Sequence, residues 1–201
     1  ASDVYKRQVL GDAGNVTDLE VEATEIEAVA ARGDGVVVVA ASWTTEPAVL
    51  AITRGGCEVL SGVRDLGFDA DWFPVPEPVA YSTSGGEVAH AVVYPPTHPN
   101  HPVPDGERPP LLVLAHGGPT GAARRQLQLP VAYWTSRGFA VADVDYRGST
   151  GYGRSYRHRL RGGWGVLDVD DCLSVAGYMV DVGRADPDRL AIKGGSAGGF
   201  T

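Results

Sequence analysis

Cysteine is scarce in this sequence. Cys57 and Cys172 are the only thiols in 201 residues, they lie far apart, and no C-x-x-C spacing occurs, which excludes a disulfide scaffold, a zinc knuckle and a dithiol redox site. Long hydrophobic runs are missing too. The longest purely aliphatic stretch, Val36 to Ala41, stops at Ser42, well short of the roughly 18 apolar residues that a membrane helix needs. No membrane partner is expected. Positive charge is in deficit, with 17 Lys and Arg against 25 Asp and Glu and a net charge of −8. Such a field repels phosphate backbones and anionic lipid, so nucleic acid is not an expected partner. The one methionine is Met179 and the chain opens with Ala1, so residue 1 as written is not a translation start. A cut or processed N-terminus is expected; any signal peptide would precede residue 1, so its absence does not decide between cytosol and export, and a cytoplasmic location is only the working assumption. What remains is ordinary globular chemistry, 43% hydrophobic and 21% charged, enough to bury a core.

The chain changes character once. Residues 1–8, ASDVYKRQ, carry no hydrophobic period and read as a non-native terminus or scar. From 9 to 71, short apolar runs alternate with turn signals: Leu19 to Ile26, Gly33-Asp34-Gly35, Val36 to Ser42, Ala48 to Thr53, Gly55-Gly56, Glu58 to Leu60. These predict about four antiparallel strands joined by hairpins, too little to stand as an independent all-β domain. Residues 72–78, WFPVPEP, place three prolines in seven positions and mark a stiff junction. From 79 to 201 strands alternate with helices: Val79 to Ser82, Glu87 to Tyr94, Leu111 to Ala115, a helix through Arg137, Phe139 to Asp145, a helix from about Val166 to Asp181, and Leu190 to Lys193. Two antiparallel strands leading into β-α-β-α-β predict an α/β fold with a doubly wound sheet. Pro130 suits the opening turn of the first helix and Gly138 its end. In the second helix Val169, Cys172, Leu173, Ala176, Met179 and Val180 form an apolar stripe, while Asp168, Asp170 and Asp171 complement the positive end of the dipole.

Three elements point to chemistry. Leu190 to Lys193 reads as a buried strand running into Gly194-Gly195-Ser196-Ala197-Gly198, a G-x-S-x-G pattern. A strained strand-to-helix turn holds a serine oxygen clear of the backbone as a nucleophile, and Gly194 and Gly198 let strand and helix pass closely. The apolar strand LLVLA, residues 111–115, ends in His116-Gly117-Gly118-Pro119. This pattern suits an oxyanion loop in which two amide donors, from Ala197 and Gly118, receive the charge that acyl transfer builds on a carbonyl oxygen. Gly117 and Pro119 shape that loop, and His116 is expected to brace it rather than carry a proton. Finally, DVDYRGSTGYG, residues 143–153, is a strand entering a Gly- and Tyr-rich loop that lacks both G-x-G-x-x-G and G-K-[ST], which removes a nucleotide cofactor from consideration.

These motifs together resemble the prolyl oligopeptidase family of serine peptidases, in particular its acylaminoacyl-peptidase and dipeptidyl-aminopeptidase-like branch. The resemblance rests on the VPEP junction, LLVLAHGGP, DVDYRGSTGYG with WGVLDVDDC, and DPDRLAIKGGSAGGF. It implies the N-terminal part of an α/β-hydrolase domain preceded by the end of a β-propeller, a peptide substrate, and a Ser196 nucleophile. Neither a cofactor nor a metal is implied. In the α/β-hydrolase order the acid and the histidine follow the nucleophile, whereas His90, His98, His101, His116 and His158 all precede Ser196. The expectation is therefore a fragment that lacks the triad Asp and His and is inactive alone. A carboxylesterase or lipase on the same scaffold and a non-catalytic propeller binding module are the rival readings. Cleavage-site preference and oligomeric state are not legible. His98 and His101 beside Asp105 do not make a metal site, since proline breaks any helical face there. Arg154, Arg157, Arg159 and Arg161 form a basic cluster in what reads as a loop, a solvated face or, failing that, an anchor for a substrate carboxylate or the propeller rim.

Overall fold

A computed structural model describes residues 8–10, 16–18, 21–62 and 64–201. The chain divides into two compact units, 1–68 with 124–128, and 69–123 with 129–201. Apart from Gln8, the reading of residues 1–8 lies outside the described residues, as do Leu19 and Glu20.

In the first unit β1 (Gln8–Leu10) and β2 (Val16–Asp18) form an antiparallel pair. The strands β3 (Glu25–Arg32), β4 (Gly35–Ser42), β5 (Thr45–Thr53) and β6 (Gly56–Ser61) make a four-stranded antiparallel sheet in sequence order. Each hairpin turns on two residues, because Arg32 pairs with Gly35, Ser42 with Thr45 and Thr53 with Gly56. Gly33 takes the positive φ of +57° that the first turn needs. Val21, Ala23, Val38, Ala40 and Ile52 form the core. The first strand of this sheet begins later than the alternation from Leu19 to Ile26 suggests. Most of β3 is exposed, so no period-two burial marks it, and pairing with β4 rather than a buried face defines it. The stretch 124–128, read from sequence as part of the α/β segment, groups with this unit, where the Arg125 amide donates to the Glu25 carboxylate at 2.9 Å and the Leu127 amide to the Ser42 carbonyl at 2.9 Å.

The second unit is built on a five-stranded sheet from β7 (Glu77–Ser82), β8 (Val88–Tyr94), β9 (Leu111–Ala115), β10 (Ala140–Asp145) and β11 (Leu190–Gly194), in the order β11-β9-β10-β8-β7. The β9–β10 and β9–β11 pairings are parallel, and those of β8 with β10 and β7 are antiparallel. Pro78 falls inside β7, which tolerates it as an edge strand. All six residues of β10 are buried. One face, carrying Leu111, Val113, Ala140, Ala142 and Val144, packs against Cys172, Val175 and Met179. Leu112 and Val141, which point the other way, are equally buried, so the sheet is covered on both sides. Four helices complete the unit: α1 (Leu129–Thr135), α2 (Gly153–His158), α3 (Leu167–Asp181) and α4 (Ala197–Phe200). Pro130 stands in the first turn of α1, and Gly138, at φ +85°, donates back to the Thr135 carbonyl.

Three details differ from the sequence reading. Leu190 to Lys193 is not buried: every residue of β11 is exposed, and among the described residues the strand pairs with β9 alone. The stripe of α3 runs through Cys172, Val175 and Met179, while Leu173 faces solvent. Asp168 and Asp170 stand in the first turn of α3 as the dipole reading expects, but Asp168 and Asp171 are also fully buried, hydrogen-bonded carboxylates. Among the described residues no helix is long and apolar enough to cross a membrane.

Candidate active site

The turn between β11 and α4 is tightly constrained. Ser196 sits at φ 53°, ψ −119°, the one non-glycine residue with positive φ among the described residues. Such a conformation costs on the order of 1–3 kcal/mol and persists only where the surroundings enforce it. Here the enforcement is steric. A Cβ on Gly194 would overlap the Gly198 carbonyl, and a Cβ on Gly198 would overlap the carbonyls of Ala115 and His116. Strand, elbow and the end of β9 are thus pressed together at two glycines, whereas the intervening Gly195 has open space beside it. The Ser196 side chain is exposed, and among the described residues it makes no hydrogen bond.

The loop after β9 lies against this turn. A Cβ on Gly117 would stand 3.1 Å from the Gly195 carbonyl oxygen and 3.4 Å from the Ser196 Cβ. Gly118 has φ +135°, and its peptide bond to Pro119 is cis. Neither the Gly118 amide nor the Ala197 amide donates to any protein acceptor among the described residues. The loop itself is braced by His116. Its Nδ1 donates to the Gly117 carbonyl at 2.9 Å, its Nε2 meets the Ser149 hydroxyl at 2.7 Å, and its ring stacks on Tyr146 at 4.3 Å. The Tyr146 hydroxyl donates to the His116 carbonyl at 2.9 Å, and Ser149 Oγ to the Tyr146 carbonyl at 2.7 Å. Burial holds the Tyr146 phenol above its ordinary range, so it stays a neutral donor.

A buried ion-pair network fixes the loop after β10. The Arg147 guanidinium lies 2.8 Å from Asp171, with side chains 3% and 0% exposed, and also reaches Glu87 at 3.1 Å. Asp171 further accepts the Arg147 amide and the Thr83 hydroxyl, both at 2.6 Å. Its lone pairs are therefore filled, as a buried carboxylate requires. Asp145 accepts the Ala123 amide and the Tyr152 hydroxyl, both at 2.6 Å. Asp168 ties the start of α3 to the end of the chain, taking the Gly165 amide at 2.6 Å and the Thr201 hydroxyl at 2.5 Å.

The structure thus brings Ser196, Ala197, Gly194, Gly198 and the His116–Pro119 loop together and keeps the remaining histidines occupied elsewhere. His90 stacks on Tyr152 at 4.1 Å, His98 packs against Trp72 and His101, and His158 meets Arg161. Sequence reading missed the supporting residues Tyr146, Arg147, Ser149, Asp168 and Asp171. A charged residue at each flank of an apolar strand and two acids on the inner side of α3 are the signals that could have found them. Arg154 and Arg157, read as loop residues, lie on α2. No group of three or more His, Cys, Asp or Glu side chains disposed to hold a metal occurs among the described residues.

A mixed sheet ordered β11-β9-β10-β8-β7, with a sharp strand-to-helix elbow at the end of β11, defines an α/β-hydrolase domain, and the antiparallel unit ahead of it is propeller-like. The resemblance to the prolyl oligopeptidase family holds: residues 125–201 match the family model described as "Prolyl oligopeptidase family". The chain is 44% identical to a puromycin hydrolase of known structure, covering 94% of this chain and 29% of that one with a TM-score of 0.89. It is 41% identical to a Mycobacterium tuberculosis puromycin-hydrolyzing peptidase, covering 97% and 30% with a TM-score of 0.92. An acylamino-acid-releasing enzyme of Arabidopsis thaliana is 38% identical over 96 residues, 48% of this chain and 13% of that protein. The chain therefore spans less than a third of the relatives it matches.

Proposed function

We propose that the chain contributes the nucleophile and the oxyanion site of a serine peptidase that cleaves short peptides and aminoacyl amides, as the names of its relatives suggest. The Ser196 backbone carries this reading: a strained serine, exposed and unpaired, beside two free amide donors. Ser196 Oγ attacks the scissile carbonyl carbon while its proton passes to a general base. The carbonyl oxygen becomes an anion received by the amides of Ala197 and Gly118. Collapse of this intermediate breaks the C–N bond, the amine leaves with a proton, and water then hydrolyses the acyl-enzyme. His116 braces the loop, since both of its ring nitrogens are engaged.

None of the five histidines is hydrogen-bonded to Ser196 among the described residues, so the base and its orienting acid belong, in this reading, to sequence outside residues 1–201, and the 201-residue chain by itself turns over little or nothing. The four-stranded sheet of the first unit serves as the last part of a propeller, with the junction at 72–78. The test is active-site labelling of the complete protein with a fluorophosphonate. Labelling is expected in the parent and absent in Ser196→Ala, and labelling that persists in the variant refutes the assignment. A panel of acylated peptides, aminoacyl anilides and short-chain esters then separates a peptidase from an esterase.

A further inference from the structure

Beside the oxyanion loop lies a cleft of about 310 Å³. Pro119 and Thr120, immediately after Gly118 in the chain, line it together with Arg157, His158, Arg161 and Trp164. The cleft is tied to the elbow as well, because the Trp164 ring packs on Phe200 of α4 with centroids 5.2 Å apart. Its charge is out of keeping with the chain. In a protein of net charge −8, Arg147 nearby is spent on Asp171 and Glu87, and Arg159 on Glu87. Arg157 and Arg161 have no carboxylate partner among the described residues, and the one side-chain hydrogen bond of Arg161 is to His158 Nε2 at 3.4 Å.

Two uncompensated guanidinium groups beside an indole face, in a concavity one residue from a proposed oxyanion donor, suit a planar anion attached to the substrate. We propose that this cleft binds the C-terminal carboxylate of the peptide's leaving part, and so selects short peptides that end soon after the scissile bond. A peptide always carries that carboxylate on the amine side of the cleaved bond, and one or two residues place it within roughly 3–7 Å of the scissile nitrogen. Arg157 and Arg161 are binding residues here and take no part in bond cleavage. This inference rests on Ser196 being the nucleophile.

The experiment uses the complete protein and a matched pair of tripeptides, one a free acid and one a C-terminal amide. Because both guanidinium groups are partly exposed to water, the expected preference for the acid in kcat/KM is about tenfold. Arg157→Gln and Arg161→Gln should each bring the acid-to-amide ratio toward one. Arg154→Gln, on the same helix but outside the cleft, should leave it unchanged, and high salt should erode it in the parent. Fluorophosphonate labelling is read on the same preparations. Loss of labelling in the parent overturns the nucleophile reading and this one with it. Normal labelling with a parent ratio near one, or a ratio indifferent to Arg157 and Arg161, overturns the carboxylate site alone. If an arginine variant does not fold, the parent ratio and its salt dependence still decide.

Discussion

Adding one methyl group at Gly198 tests the elbow most directly. A Cβ there would lie 2.6 Å from the Ala115 carbonyl carbon and 2.8 Å from the His116 carbonyl oxygen, and closer still to the Ala115 oxygen. Ordinary van der Waals contact begins at 3.4 Å, so β9 and the start of α4 must separate by on the order of 1 Å. No side chain can rotate away, because every obstructing atom is main chain and Ala115 is held in register with Gly194. Overpacking of this kind costs about 1–3 kcal/mol or more, and displacing a nucleophile by about 1 Å costs on the order of 100-fold in rate. Gly195→Ala is the companion, since Gly195 has nothing within 4 Å of its would-be Cβ and no positive φ. Second-order rates of fluorophosphonate labelling in the complete protein give the comparison. Gly198→Ala is expected to label about 100-fold more slowly, and Gly195→Ala to stay within about threefold of the parent. Equal rates in the two variants, or a Gly198→Ala rate like the parent's, would refute the steric account of the elbow.

Removing one member of the buried ion pair should be far worse than removing both. Asp171→Ala takes the acceptor from the Arg147 amide and the Thr83 hydroxyl and leaves the buried guanidinium with Glu87 and Ser84, an expected loss of about 3–5 kcal/mol. Arg147→Met with Asp171→Leu should recover part of it in thermal unfolding, and a double variant less stable than Asp171→Ala would count against the network. Cys172 is buried and Cys57 exposed. Burial first, then the charges of Asp171 and Asp168, push the Cys172 thiol up to about 12. At pH 8 a thiol reagent read by peptide mapping should modify Cys57 in the native protein and reach Cys172 only on unfolding; rapid native modification of Cys172 would contradict its burial. The same shift sets a sign for stability. Below pH 9 the thiol is protonated in both states and contributes no pH dependence, but from about 9 to 12 only the unfolded chain ionises, so stability falls as pH rises. A stability that rises through that window would break the argument.

Local chemistry made the candidate site motifs legible. A run such as LLVLA followed by HGGP, or LAIKG followed by SAGG, pairs an apolar strand with residues whose backbone freedom only a tight turn needs, and nothing distant has to be known to recognise it. Burial was less legible. Leu190 to Lys193 has the composition of an interior strand, yet its exposure depends on which strands pair with it, and here β9 alone does. Asp168 and Asp171 show the converse. An acid near a helix start is favourable when solvated, and only the placement of Gly165, Thr201, Arg147 and Thr83 around these two turns them into buried fasteners. The first strand of the four-stranded sheet begins later than its alternation suggests for the same reason, since an exposed strand is defined by its neighbour rather than by its own residues.

The order of residues by itself determined the turns, the strand and helix types, and the serine's position between glycines, because those depend on steric rules acting over a few neighbours. Tertiary structure alone decided which carboxylates are buried, that Ser149 and Tyr146 are the partners through which His116 braces its loop, and that Gly117 lies against Ser196. Contacts between residues tens of positions apart come into being only when the chain folds, and no local rule encodes them.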